Sequence, residues 1–206
     1  MRGPAAALLV SVMDFERKVS AAFVAKLHGL VTGTGLAQRL AHDGLTEEAK
    51  VSGAPIDSFT RWLGAYSAAQ YPEAPAAEAL RRVGFDMAHR SRKYEGASLA
   101  QTMSLLPERM QSLGTFDVTT NALTPFRYVA HFEDVGLLHT FFLGVLQGAT
   151  SSTGTFAEVK WSPEGLSGAR YEVRAAGVPS EHLAGVQKPL RVEDALQAPH
   201  QGELRG

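Results

Sequence analysis

The sequence predicts an α+β fold, and three observations predict it. Helical apolar periods run up to Gly114, strand-like alternation replaces them beyond it, and two alternating segments around a glycine-containing turn close the pattern as a C-terminal β-hairpin. From Asp57, the residues Phe59, Trp62, Leu63 and Tyr66 fall at i, i+3, i+4 and i+7, one helical stripe that ends before Tyr71-Pro72. A second helix opens near Pro75, with Ala76, Leu80, Val83 and Met87 on one face and Arg81, Arg82, Arg90, Arg92 and Lys93 over the other. SLAQTMSLLPERM reads as a short helix broken or kinked at Pro107, and Gly35 to Asp43 as a weaker one between glycines.

Beyond Gly114, PFRYVAHFE alternates Phe126, Tyr128, Ala130 and Phe132 against Arg127, His131 and Glu133, the period of a half-buried strand. LLHTFFLGVLQGA then carries two helical stripes. Leu138, Phe141, Phe142 and Val145 make the apolar one; Thr140, Gly144 and Gly148 make one of small residues that permits close approach of another backbone. TFAEVKW and ARYEVR form the hairpin, with Val159, Trp161, Tyr171 and Val173 expected inward. One domain over 1–175 is expected. Residues 176–206 contain Pro179, Pro189 and Pro199 with no apolar period, which predicts a mobile tail.

Composition excludes more than it proposes. The chain has 206 residues, enough for a self-sufficient core, and it has no cysteine, which excludes disulfides, thiolate metal sites and a cysteine nucleophile. A formal net charge of −1 argues against nonspecific binding to nucleic acid or anionic lipid, which needs many neutralised phosphates. The N-terminal run PAAALLVSVM is followed by Asp14, Glu16, Arg17 and Lys18 without a small-residue cleavage site, so it reads as a buried strand or short helix. Val135 to Val145 is far shorter than the roughly 20 residues a membrane span needs. A cytoplasmic protein with no membrane span is expected.

No local motif of nucleotide binding, zinc proteolysis or serine hydrolysis occurs. GLVTGTGLAQRL places Gly29, Gly33 and Gly35 before a helix start, yet their spacing fits neither nucleotide motif and a turn into a helix explains them. Seven histidines include no H-x-H or H-x-x-x-H pair, so no metal site is expected. His89, at the end of the basic helix, reads as a haem ligand or as an imidazolium favoured by the helix dipole. Arg81, Arg82, Phe85, Arg90, Arg92 and Lys93 offer a face for an acidic segment or a ligand anion, although such residues more often make a solvated helix face whose aliphatic stems cover apolar surface. Trp62, Tyr66, Phe126, Tyr128, Phe141, Phe142, Trp161 and Tyr171 either line an apolar cavity or fill a core.

The run SFTRWLGAYSAAQYPEAPAAEALRRVGFDMAHR, then SLLPERMQSLGTF, TTNALTPFRYVAHFE, the glycine-containing apolar helix and ARYEVR resembles a myxobacterial paralogous family of unknown function. The resemblance covers about Phe15 to Arg174. That family in turn is similar to the superfamily of haem-NO-binding, vinyl-reductase-type and transport-particle-subunit (TRAPP-like) domains. The resemblance implies a helical layer packed on a twisted antiparallel sheet, and a nonenzymatic role that encloses an apolar ligand or offers a docking surface. The chain departs from the haem branch by lacking its Tyr-x-Ser-x-Arg motif, SRKYEG being the nearest string, and from metal-binding relatives by lacking cysteine. No cofactor is therefore expected.

The reading that follows is a noncatalytic sensory or regulatory module, with Trp62, Tyr66, Tyr128, Phe141, Phe142 and Trp161 around a small hydrophobic ligand. An interaction or scaffold protein with a filled core is the alternative. Its surfaces would be the Arg81 to Lys93 face and the Thr140/Gly144/Gly148 stripe, the latter a homodimer contact. For an enzyme, Arg127, His131 and Glu133 on one strand face would be the candidates.

Overall fold

The computed structural model describes residues 17–91, 94–153 and 157–177. The apolar run at 4–13, Arg92 and Lys93 of the basic segment, and residues 178–206 of the expected tail lie outside the described residues. Ser20 accepts the Phe23 amide and caps α1 (Ala21–Val31), whose Phe23, Val24, Leu27 and Val31 are buried. The strand pair β1 (Lys18–Val19) and β2 (Ala54–Pro55) ties this entry to the end of α3 (Glu47–Ser52). Neither α1 nor α3 is among the helices expected from sequence. The weak glycine-bounded helix is observed as α2 (Leu36–His42).

The aromatic stripe forms α4 (Ile56–Gln70), burying Phe59, Trp62 and Leu63, and the second helix is α5 (Ala76–His89). The buried face of α5 is rotated from the expected one. Ala79, Val83, Gly84 and Ala88 are buried while Ala76 is exposed, because α5 is held between α4 and a second helical neighbour that accepts only small residues. The break near Pro107 falls earlier than expected, at Leu105. Ser98 and Gln101 close a reciprocal cap on α6 (Leu99–Ser104), and Pro107 sits in the first turn of α7 (Leu106–Leu113), where its missing N–H leaves no bond unmade.

The remaining elements are β3 (Val118–Thr124), β4 (Arg127–Phe132), a 3₁₀ turn at Gly136–Leu138, α8 (His139–Ser151), β5 (Ala157–Glu164) and β6 (Gly168–Ala175). The four long strands form an antiparallel sheet in the order β3-β4-β6-β5, so α8 crosses over the sheet and returns the chain as the hairpin. Tyr128, Ala130, Phe132, Tyr171 and Val173 line its inner face and are buried. Phe142 of α8 meets Phe132 and Phe116 at ring-centroid distances of 5.1 and 5.0 Å, which joins helix to sheet. Tyr171 donates to the His139 carbonyl at 2.7 Å and fixes the start of α8 over the strands.

The other face of α8 lies on α5. A Cβ on Gly144 would overlap the Arg81 carbonyl, one on Gly148 the Phe85 carbonyl, and one on Gly84 the Phe141 carbonyl. The small-residue stripe thus brings two helices of the same chain together, and Gly144 and Gly148 are not available to a second copy. The close approach foreseen for this stripe is present, but its partner is α5.

Candidate functional site

The aromatic residues expected around one ligand do not converge. Trp62 is buried, with Nε1 donating to the Asp43 carbonyl at 3.0 Å, and Tyr128 is buried with its hydroxyl on the Pro125 carbonyl at 2.8 Å. Burial pushes the Tyr128 phenol up to about 12. Phe141 and Phe142 meet each other edge-on and pack edge-on or tilted against the core rings Phe23, Phe116 and Phe132. Trp161 shares the inner face with its register partner Tyr171 and its ring lies 4.3 Å from His139 of α8, but on the edge strand it remains 39% exposed and borders the core without being enclosed by it. These side chains mostly fill the interior instead of lining a hollow.

A hollow with an apolar wall lies instead in the helical layer. A cleft of about 220 Å³ runs between α1, α4 and α5, with Leu30, Tyr66, Val83 and Met87 as apolar wall and Tyr71, Asp86 and Arg90 at the polar end. Beside it, across Lys26, Met87 and Ser91, lies a lobe of about 80 Å³ that reaches Phe23, Met110, Phe141 and Val145. The helices place these groups by simple geometry. Val83, Asp86, Met87 and Arg90 follow one another at i, i+3, i+4 and i+7 along α5. Tyr66 and Tyr71 come from the end of α4, and Leu30 from the end of α1.

The polar end is internally bonded. Tyr71 donates to Asp86 Oδ2 at 2.6 Å, and Arg90 Nη2 lies 3.5 Å from the same oxygen. Both phenols are held neutral: the hydrogen bond to Asp86, with burial, raises Tyr71, and burial raises Tyr66. Of the site residues expected from sequence, Tyr66 and Arg90 meet in this cleft and Phe141 borders the smaller lobe. Leu30, Val83, Asp86 and Met87 were not singled out, since each is ordinary in its own helix and only the packing of three helices brings them together.

The expected cationic face is largely neutralised from within. Arg81 binds Glu78 through two nitrogens at 2.7 Å and reaches Gln147 of α8 at 2.6 Å; Arg82 shares Glu78 at 2.7 Å. The two guanidinium groups hold the Glu78 carboxyl down at about 2. Phe85 stacks on His89, ring centroids 5.4 Å apart, and the His89 ring lies 3.1 Å from Ser151 Oγ. Lys93 lies outside the described residues.

Arg127, His131 and Glu133 do not form a working trio. Arg127 donates to Glu172 at 2.9 Å and His131 pairs with Glu164 at 2.8 Å. The first two stand four residues apart on an extended strand, about 13 Å of rise. His131 and Glu133 border a polar groove at the end of the sheet together with Asp134 and Glu164. Among the described residues no cluster of three or more His, Asp or Glu is arranged to hold a metal.

Comparison with known proteins fits this architecture. The model of the DUF2378 family, described as proteins of unknown function, matches residues 13–174. The chain belongs to the DUF2378 family. No curated protein sequence matches it. Among solved structures, this DUF2378 chain is similar to the Fe(II) unliganded H-NOX protein of K. algicida at 12% identity and TM-score 0.54, covering 77% of this chain and 97% of that one. A variant of Tt H-NOX matches at 12% and TM-score 0.55, over 77% and 93%. A variant of T. Tengcongensis H-NOX matches at 12% and TM-score 0.50, over 76% and 94%. At such identities the shared property is the fold, a helical layer on an antiparallel sheet.

Haem, the group the haem-NO-binding resemblance brings with it, does not fit the residues of the cleft. Among the described residues no imidazole lines either lobe, and the two tyrosines of the larger lobe, Tyr66 and Tyr71, have their phenol pKa raised, which disfavours the phenolate that ligates iron. Lobes of about 220 and 80 Å³ also fall below the usual range for a drug-sized ligand, roughly 300–1,000 Å³.

Proposed function

We propose that this DUF2378 protein is a noncatalytic sensory or regulatory module of the cytoplasm that binds a small, largely apolar ligand in the cleft between α1, α4 and α5. The observation that carries the reading is the cleft itself, a hollow with an apolar wall and one polar end beside a lobe that reaches Phe141 and Val145 of α8. Its likeness in fold to H-NOX proteins supports the reading by analogy. The site lies one helix away from α8, which packs on α5 through glycine and on the sheet through Phe142. A ligand that fills the lobe against Phe141 and Val145 presses on the element joining the two layers, and a protein partner reading the sheet would register its occupancy.

Native mass spectrometry of freshly purified protein, set against the denatured mass, tests for a copurified ligand, and a thermal-shift screen of small aromatic and aliphatic compounds tests for a replacement. A ligand at 100 times its Kd adds about 2.7 kcal/mol, so a hit raises Tm by about 5–10 °C in a chain of this size. A clean mass together with a screen that moves nothing overturns the proposal.

A further inference from the structure

Resting on that reading of the cleft, we infer that its ligand is a small aromatic carboxylate, with the ring against Tyr66 and Met87 and the carboxylate on Arg90. The size comes first. About 220 Å³ is the volume of roughly seven waters, room for one or two fused rings and a short acidic arm but not for a long chain lying extended.

The wall then selects the ring. Tyr66 and Tyr71 come from one side and the Met87 thioether from the other, and both aromatic and sulfur contacts favour a planar π-system over an alkyl chain of equal area. Met87 borders both lobes, and its unbranched side chain shifts with little strain, so a ring inserts beside it.

Charge selects the acid. Asp86 is the acidic residue of the larger lobe, and it already accepts the Tyr71 hydroxyl at 2.6 Å and faces Arg90 at 3.5 Å, so it is not offered to an incoming amine. Arg90 touches Asp86 through one nitrogen, while a guanidinium carries five N–H donors in a planar fork that matches a carboxylate. The Tyr71 bond to Asp86 fixes that end of the cleft before a ligand arrives, and this limits the ordering needed on binding.

The test compares three probes of one shape by isothermal titration calorimetry on the intact protein: indole-3-acetate, 3-methylindole and tryptamine, with octanoate as an alkyl acid. Indole-3-acetate is expected to bind at least tenfold more tightly than each of the others. Arg90→Gln is expected to weaken it about tenfold while leaving 3-methylindole unchanged, and Asp86→Asn to tighten it severalfold by releasing Arg90. Leu30→Trp, at a rim position 38% exposed, fills the cleft from outside and is expected to abolish binding with Tm retained. Tryptamine or octanoate binding as well as the aromatic acid overturns the ligand class and leaves the cleft reading standing. Binding that survives Leu30→Trp, or no binding by any probe, overturns both.

Discussion

Glu78 shows how one residue changes the meaning of a sequence pattern. Five cations in thirteen residues read as a docking face, yet the acid three residues before Arg81 and four before Arg82 pairs with both of them. Arg81 then spans to Gln147, so the trio also fastens α5 to α8. Folding lowers the Glu78 carboxyl from its usual 4.5 to about 2, which means that the deprotonated form favours the native state. Its contribution is present above about pH 4.5 and is lost as pH falls through about 2. Glu78→Gln is expected to lower stability by about 1 kcal/mol at pH 7 and to lower Tm by about 2–4 °C. The gap from wild type closes in melts taken between pH 4.5 and 2. A gap that stays constant across that range shows that charge is not what Glu78 supplies.

At the scale of elements, the joint between α5 and α8 was half legible. Thr140, Gly144 and Gly148 announced a close approach, but sequence spacing cannot say whether the second backbone belongs to the same chain or another, and Gly84 on α5 supplies the answer only in three dimensions. The strands β4, β5 and β6 were legible because apolar residues alternate along each of them, although only β4 and β6 bury those residues and β5, at the sheet edge, leaves them partly exposed. β3 was not, since its inward side, Val118, Thr120, Ala122 and Thr124, is half threonine. Helix α1 carried a signal in Ser20 ahead of Phe23, Val24, Leu27 and Val31, weakened by Gly29 and its β-branched residues. Gly144→Ala is expected to destabilise by about 3 kcal/mol or more in urea denaturation, because the new methyl meets backbone, which cannot rotate away. Gly64→Ala, in the middle of α4 with open space beside it, is the contrast and is expected to stabilise by about 0.5–1 kcal/mol. Equal effects of the two would remove the close approach as the reason for glycine. Gly144→Leu accordingly tests folding and not dimer formation.

For the molecule as a whole, the order of helices, strand, helix and hairpin was enough to reach the fold, whereas the cleft was out of reach because no single segment contains it. The α1, α4 and α5 walls each spend most of their apolar residues on the common core, and the hollow is what remains where three ends meet. A fold shared with H-NOX proteins leaves the choice of ligand to such local chemistry. All five described histidines sit elsewhere: His28 beside Glu47, His42 beside Asp43, His89 on Phe85, His131 on Glu164 and His139 against Trp161. Moving one of them into the cleft would break these contacts and reorient its helix or strand. Titration with haemin is therefore expected to give no saturable, stoichiometric near-ultraviolet band, and His89→Ala is expected to leave the spectrum unchanged. A one-to-one band lost in His89→Ala would mean that this imidazole leaves Phe85 and Ser151 to meet iron, which would replace the small-ligand cleft with a haem pocket.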